Sequence, residues 1–244
     1  MSVGLEQVRR FSPRFHLHEN EQFFPCTIEF LLANGTLYAA DGSVLATNPS
    51  QADLTAGSTD GGRGRHVDVA ESQYRGLPRA DGQVTSPIYY AVQTFSDAIV
   101  IHYLALFAYQ GGQTCEALRA GTEFDCIVNT FGSHQGDLER VAVILSNDGN
   151  FTPLAVEYES HGDRHVYAPA LVPVQADDTG WHPLVNVALN GHSLHNLYRE
   201  SNPVVEDEVP AIVAIISAMP DLGQGILWVP VAVIDFRQLG LDQA

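Results

Sequence analysis

The stretch GSHQGDLERVAVIL, residues 132–145, decides how this chain is read. It opens as a glycine-rich turn and closes as a strand. β-Branched residues crowd its second half, and Val141, Val143 and Leu145 alternate with Ala142 and Ile144. That is the two-residue period of a strand. Carried backwards, the period sets Asp137 and Glu139 on the face of Val141, Val143 and Leu145. If that face is the core, two carboxylates point inwards at its rim. A buried carboxylate is costly unless it is paired or holds a cation. His134 precedes Asp137 across a glycine, so the run His-x-x-Asp-x-Glu offers one nitrogen and two oxygen donors beside a rigid strand. A divalent metal needs such a supply. The alternative is a surface turn whose carboxylates are solvated or pair with Arg140.

Strand patterns recur on both sides of this stretch. Phe15 and Leu17 alternate with His16 and His18, which places two imidazoles on one strand face. Residues 27–32 read as a strand or a short helix. Residues 34–86 carry turn chemistry (NGT, DGS, NPS, GSTDGGRGR), with short strands at 37–39 and 43–46. Arg63, Arg65, Arg75 and Arg79 fall in this region as an anion clamp or as solvated charge. Residues 88–93 and 99–109 form a hairpin whose second arm is apolar on both faces, as in a central sandwich strand. His102 lies inside it as a core histidine. A short helix is expected over residues 114–120.

Beyond the central stretch, residues 154–160 and 166–167 pair about a turn that holds His161. The strand at 184–189 runs into NGHSLH, where His192 again follows a glycine at a strand end. Apolar strands follow near 211–217 and 226–235. There is no internal repeat and no linker. The expected fold is therefore all-β: one domain over residues 1–244, a β-sandwich of mostly antiparallel strands with long loops.

Composition narrows the chemistry. The chain has 244 residues and a formal net charge of −17; its 12 basic residues are all Arg, with no Lys. This argues against nucleic acid and anionic membrane surfaces as partners, and it removes Schiff-base chemistry. Three cysteines, Cys26, Cys115 and Cys126, are too few for a disulfide framework, though a Cys115–Cys126 bridge is open. No apolar signal core opens the chain, and no apolar run reaches transmembrane length. The chain reads as soluble and cytoplasmic, or as secreted if a signal was removed before residue 1.

Five blocks in order, FSPRFHLHENEQFFPCTIEF, SPIYYAVQT with IHYLALFAYQGG, GSHQGDLERVAVIL, YESHGD and HPLVNVALNGHSLH, resemble the vacuolar protein sorting-associated protein 62 family. The resemblance covers residues 12–195, to which strands at 205–237 would be additions. The central run is also similar to the Gly-His-Arg-His-Asp-Trp-Glu heptapeptide of the necrosis-inducing cytolysin family. These resemblances imply a β-sandwich. The cytolysin motif implies a divalent cation held by His134, Asp137 and Glu139, with Asp125 the nearest counterpart of an earlier acidic ligand. Leu138 stands where both families carry Trp, and Arg140 where they carry His.

Two kinds of function follow. If His16, His18, His161 and His192 converge on the metal, they supply proton-transfer groups with pKa values near neutrality. The chain would then be a metal-dependent enzyme acting on a small organic molecule by hydrolysis, lyase or cyclisation chemistry. The metal (Mg, Mn, Zn or Ca) would polarise an oxygen or activate water. In the alternative, the cation bridges the sandwich to a glycan or lipid headgroup, with Trp181 and Tyr198 as candidate aromatic contacts. A trafficking or scaffold protein with a polar core network is the third reading. No nucleophile elbow, P-loop or dinucleotide fingerprint is present. Ser193 between His192 and His195 is the one nucleophile-like arrangement.

Overall fold

A computed structural model describes residues 3–18, 20–59, 62–112, 114–119, 122–127, 133–160, 163–196, 219–220, 226–230 and 232–235; for 114–119, 122–127 and 219–220 it describes the backbone alone. In chain order the elements are α1 (Leu5–Arg10), β1 (Arg14–Leu17), α2 (Ile28–Asn34), β2 (Gly35–Tyr38), β3 (Val44–Thr47), β4 (His66–Val69), β5 (Ile88–Thr94), β6 (Ala98–Gln110), β7 (Thr114–Arg119), β8 (Thr122–Ile127), β9 (His134–Ser146), β10 (Pro153–Ser160), β11 (Asp163–Tyr167), β12 (Val174–Asp177), β13 (Gly180–Val187), β14 (Leu194–His195), β15 (Met219–Pro220), β16 (Ile226–Trp228) and β17 (Val233–Asp235). The all-β sandwich expected from the sequence is the fold observed.

Two sheets make the sandwich. One runs β12-β13-β1-β16, with β14 also on β13; the other runs β11-β10-β9-β6-β5-β17. Pairing is antiparallel except for β1 with β13 and β5 with β17. The core lies where the inner faces meet. Phe15, Leu17, Val185, Val187 and Trp228 pack there against Ile99, Ile101, Tyr103, Val141, Val143 and Tyr158. Each such side chain contributes about 1.5–3 kcal/mol by leaving water. Buried aromatics with polar tips need partners, and these have them. Tyr103 Oη donates to Val8 O (2.7 Å), Tyr158 Oη to Leu184 O (3.1 Å) and Trp228 Nε1 to Ser86 O (2.9 Å).

A second cluster explains why β6 is apolar on both faces. Cys26, Val69, Tyr89, Leu106 and Ala108 are buried together with Ile28, Phe30 and Leu31 packed on them. The small sheet β3-β2-β4 and helix α2 supply part of this cover. The open choice at residues 27–32 is resolved as helix, because Thr27 caps it: Phe30 N–H donates to Thr27 Oγ1 at 3.1 Å.

Two expectations are corrected. The helix expected over 114–120 is strand β7 in its described part, since Thr114–Arg119 pairs antiparallel with β8. The central stretch is strand, not turn, from His134 onward, and Gly136 meets the demand for a left-handed φ of +72° inside β9. Strand β4 is a further element of the glycine-rich region, where Val67 and Val69 alternate with His66 and Asp68 and the strand pairs with β2. The expected strand at 211–217 lies outside the described residues. Among those described, no helix is long and apolar enough to cross a membrane.

Candidate functional site

Strand β9 delivers two acids to the end of the inner face. Asp137 and Glu139 are 6% and 7% exposed, on the side of buried Val141 and Val143, while Leu138 between them is 47% exposed. The face assignment made from the two-residue period is the one observed. Arg140 turns the other way, bonding Glu157, Glu159 (2.7 Å) and His102 Nδ1 (2.8 Å). It is not the counter-charge of the buried acids.

The partner of Asp137 comes from the turn at 188–193, between β13 and β14. His192 N–H donates to Ala188 O (3.0 Å), and Gly191 N–H to Leu189 O (2.6 Å). Asn190 and His192 both adopt left-handed backbone, at φ +59° and +55°. Non-glycine residues hold that conformation only where their surroundings over-determine it. Here every residue of the turn's tip is fastened. Asn190 N–H donates to Glu21 Oε2 (2.9 Å), Gly111 N–H to Asn190 O (2.9 Å) and Gln110 Nε2 to Gly191 O (2.9 Å). The His192 ring, 0% exposed, stacks on Phe107 with centroids 3.8 Å apart. Its Nδ1 lies 2.9 Å from Asp137 Oδ2, and its Nε2 faces Glu21 Oε1 at 3.8 Å.

Glu21 enters from the segment after β1, which is tied to β6 by Cys26 N–H donating to Leu106 O at 2.7 Å. Its Oε1 also accepts from Gln22 N–H and Phe23 N–H. Burial works against ionising Glu21, but His192 and these N–H donors outweigh it and hold the carboxyl below its ordinary range. Burial likewise opposes charge on His192, yet Asp137 and Glu21 push it up to about 9. Burial, then the charge of Asp137, drives Glu139 well above the usual carboxylate range. Three acids thus gather around one buried imidazole. Each asks for positive charge in a medium that screens poorly.

His134 sits at the rim, its side chain 52% exposed and its Nε2 3.5 Å from Asp137 Oδ1. So His134, Asp137, Glu139 and His192 come together. His16 does not join them: it alternates with buried Phe15 and Leu17, beside Asn186 and Leu227, and burial lowers its pKa. His18 does not share a strand face with His16, because β1 ends at Leu17; its Nδ1 accepts from Asn20 N–H at 2.9 Å. His161 lies outside the described residues, as does the side chain of Asp125, whose backbone is in β8 opposite Glu116.

Other candidates are accounted for structurally. Trp181 packs edge-on against Phe11, and Tyr198 lies outside the described residues. Arg65 bonds the carbonyls of Asp53, Leu54 and Ala56, and Arg79 lies over Phe24, so these two arginines are engaged within the protein. Ser193 and His195 do hydrogen-bond at 3.0 Å, but Ser193 is buried.

The sequence reading missed Glu21, Gln110 and a set of rings beside the turn. Tyr74 and Tyr109 stack face to face at 4.0 Å, and Phe23 meets Tyr109 edge-on at 5.2 Å. Phe23 also lies against Gly111, where an added Cβ would come within 2.4 Å of its ring. These groups meet through pairing, so only the FFP and AYQGG compositions hinted at them.

Among the described residues, no three His, Cys, Asp or Glu side chains form a metal-holding group. A hard cation that keeps several waters is bound through one or two carboxylates. Asp137 and Glu139, two residues apart and buried on one face of β9, are the carboxylates that such chemistry would use.

No family model matches this chain, and no curated protein matches it. Among solved structures it is similar to Necrosis and Ethylene inducing Protein 2 from the causal agent of cocoa's Witches Broom disease, at 15% identity and a TM-score of 0.43, over 99% of this chain and 77% of that one. It is also similar to NLPPya in complex with mannosamine (16% identity, TM-score 0.38) and with glucosamine (14%, 0.37), each over 78% of this chain and 64% of the other.

Proposed function

We propose that this chain is a divalent-cation-dependent binding protein whose ligand is rich in hydroxyls, a glycan or a glycosylated lipid headgroup. The observation that carries the reading is the buried pair Asp137 and Glu139, with His192 as the imidazole packed among them. Asp137 and Glu139 would hold a hard cation, with His134 at the rim. When bound, the cation supplies open positions to oxygen atoms from outside the protein. Paired hydroxyls match that demand. Beside the same turn lie three half-buried rings, Phe23, Tyr74 and Tyr109, the two tyrosines stacked on each other and carrying polar tips, and such an apolar edge with hydroxyls suits a sugar ring's alternating C–H and O–H surface.

The geometry favours binding over catalysis. A proton-transfer group must reach its substrate. His192 is fully enclosed and committed to Asp137, and His18 is buried. His134 alone among the gathered imidazoles faces solvent.

The experiment is titration calorimetry on chelator-treated protein. MgCl2, MnCl2 and CaCl2 are titrated first; chitooligosaccharides, or vesicles with and without glycosylceramide, follow. Saturable cation binding lost in Asp137→Asn, and ligand binding lost with the cation, are expected. Soluble sugar and vesicle arms separate the two sources of hydroxyls. Cation binding with turnover of a screened substrate would return the reading to an enzyme. No cation binding would remove both.

A further inference from the structure

We propose that the side-chain amide oxygen of Gln110 is a direct ligand of the cation, a neutral third oxygen beside Asp137 and Glu139. This rests on the cation-binding reading above.

The argument starts from a buried atom with nothing to bind. Gln110 closes β6 and is 3% exposed. Its Nε2 donates to Gly191 O, but its Oε1 is buried and accepts no hydrogen bond from any described group. Turning the amide over would set that oxygen against the Gly191 carbonyl, so the bond from Nε2 fixes which way Oε1 is offered. A buried acceptor left unsatisfied costs free energy, and native structures keep few of them without a reason.

Its place in the fold supplies the reason. Gln110 pairs in register with His134, which opens the His-x-x-Asp-x-Glu run, and Phe107 pairs with Asp137. The carbonyl that Gln110 holds belongs to Gly191, whose neighbour His192 bonds Asp137. Gln110 therefore stands between the rim histidine and the turn that closes over the acids. Hard cations accept amide oxygens alongside carboxylates, and a neutral donor adds coordination without adding to three crowded acids.

The test uses Gln110→Met, which keeps the volume and removes the oxygen. Mg²⁺ affinity is read by calorimetry, and Tb³⁺ serves as a luminescent stand-in whose lifetimes in H2O and D2O count bound waters. Affinity is expected to fall about tenfold or more, and the bound Tb³⁺ to gain about one water. Gln110→Asn draws the oxygen back by a methylene and gives the same pair of changes should Met not be accommodated. Unchanged affinity and hydration would overturn the inference and leave the binding function standing. Weaker affinity with unchanged hydration would also overturn it, since that is the mark of a loosened 188–193 turn. A parent protein that binds neither ion would overturn the function and this inference together.

Discussion

Asp137 and His192 meet at 2.9 Å in the protein interior although fifty-five residues separate them, and the pair ties strand β9 to the turn that follows β13. Removing one member of a buried pair leaves the other uncompensated. His192→Leu should therefore destabilise the protein by about 3–5 kcal/mol in urea unfolding at neutral pH. A loss below about 1 kcal/mol would mean that the acids find another counter-charge.

Gly111 lies directly against the aromatic set. An alanine there would drive its Cβ to 2.4 Å from Phe23 and 3.3 Å from Asn190. Gly111→Ala should cost about 1–3 kcal/mol by overpacking. The cost should shrink in a Phe23→Ala background, because the obstructing ring is gone. Additive effects in the double-mutant cycle would show that the clash relaxes elsewhere.

A Tyr109 variant distinguishes the proposed glycan contact from the proposed cation site. Tyr109→Ala should weaken glycan binding by about tenfold, or about 1.4 kcal/mol. Cation affinity should stay at the parent value in calorimetry. Equal losses of both would place the ring in the frame of the cation site and not on the ligand.

Acid sensitivity has a source outside the site. Hydrogen bonds from Thr179, then Arg14, hold the Asp177 carboxyl below its ordinary range, and the Arg14 contact of 2.5 Å fastens β12 to β1. A depressed carboxyl lends stability above its unfolded pKa and loses it as pH falls through the folded one. The gap in urea midpoint between parent and Asp177→Asn should be widest above about pH 4 and close below it. A gap that persists in strong acid would point to packing.

Much of this was legible from local pattern. The period of two in VAVIL gave the face of Asp137 and Glu139, and the alternation from Ile99 onward gave β6. His192 stood out as a histidine after a glycine at a strand end, but nothing local named Asp137 as its partner. Glu21 and Gln110 were invisible for the same reason: their roles come from contacts 169 and 81 residues away. The helix expected over 114–120 failed because pairing with β8 decides that segment, not its own propensity.

The position of β1 bears on when this protein becomes competent. Arg14 pairs with Leu184, and Phe15 with Trp228, so both neighbours of an early strand arrive late in the chain. Such long-range pairing is slow to form, because the loop must close before the contacts reward it. Strand β13 also carries the turn that seats His192 between Glu21 and Asp137. The acids on β9 thus gain their lid only when the last strands dock. The cation proposed for this site would then be a ligand of the finished fold and not of its precursors, and its binding would act as a thermodynamic latch on the native state.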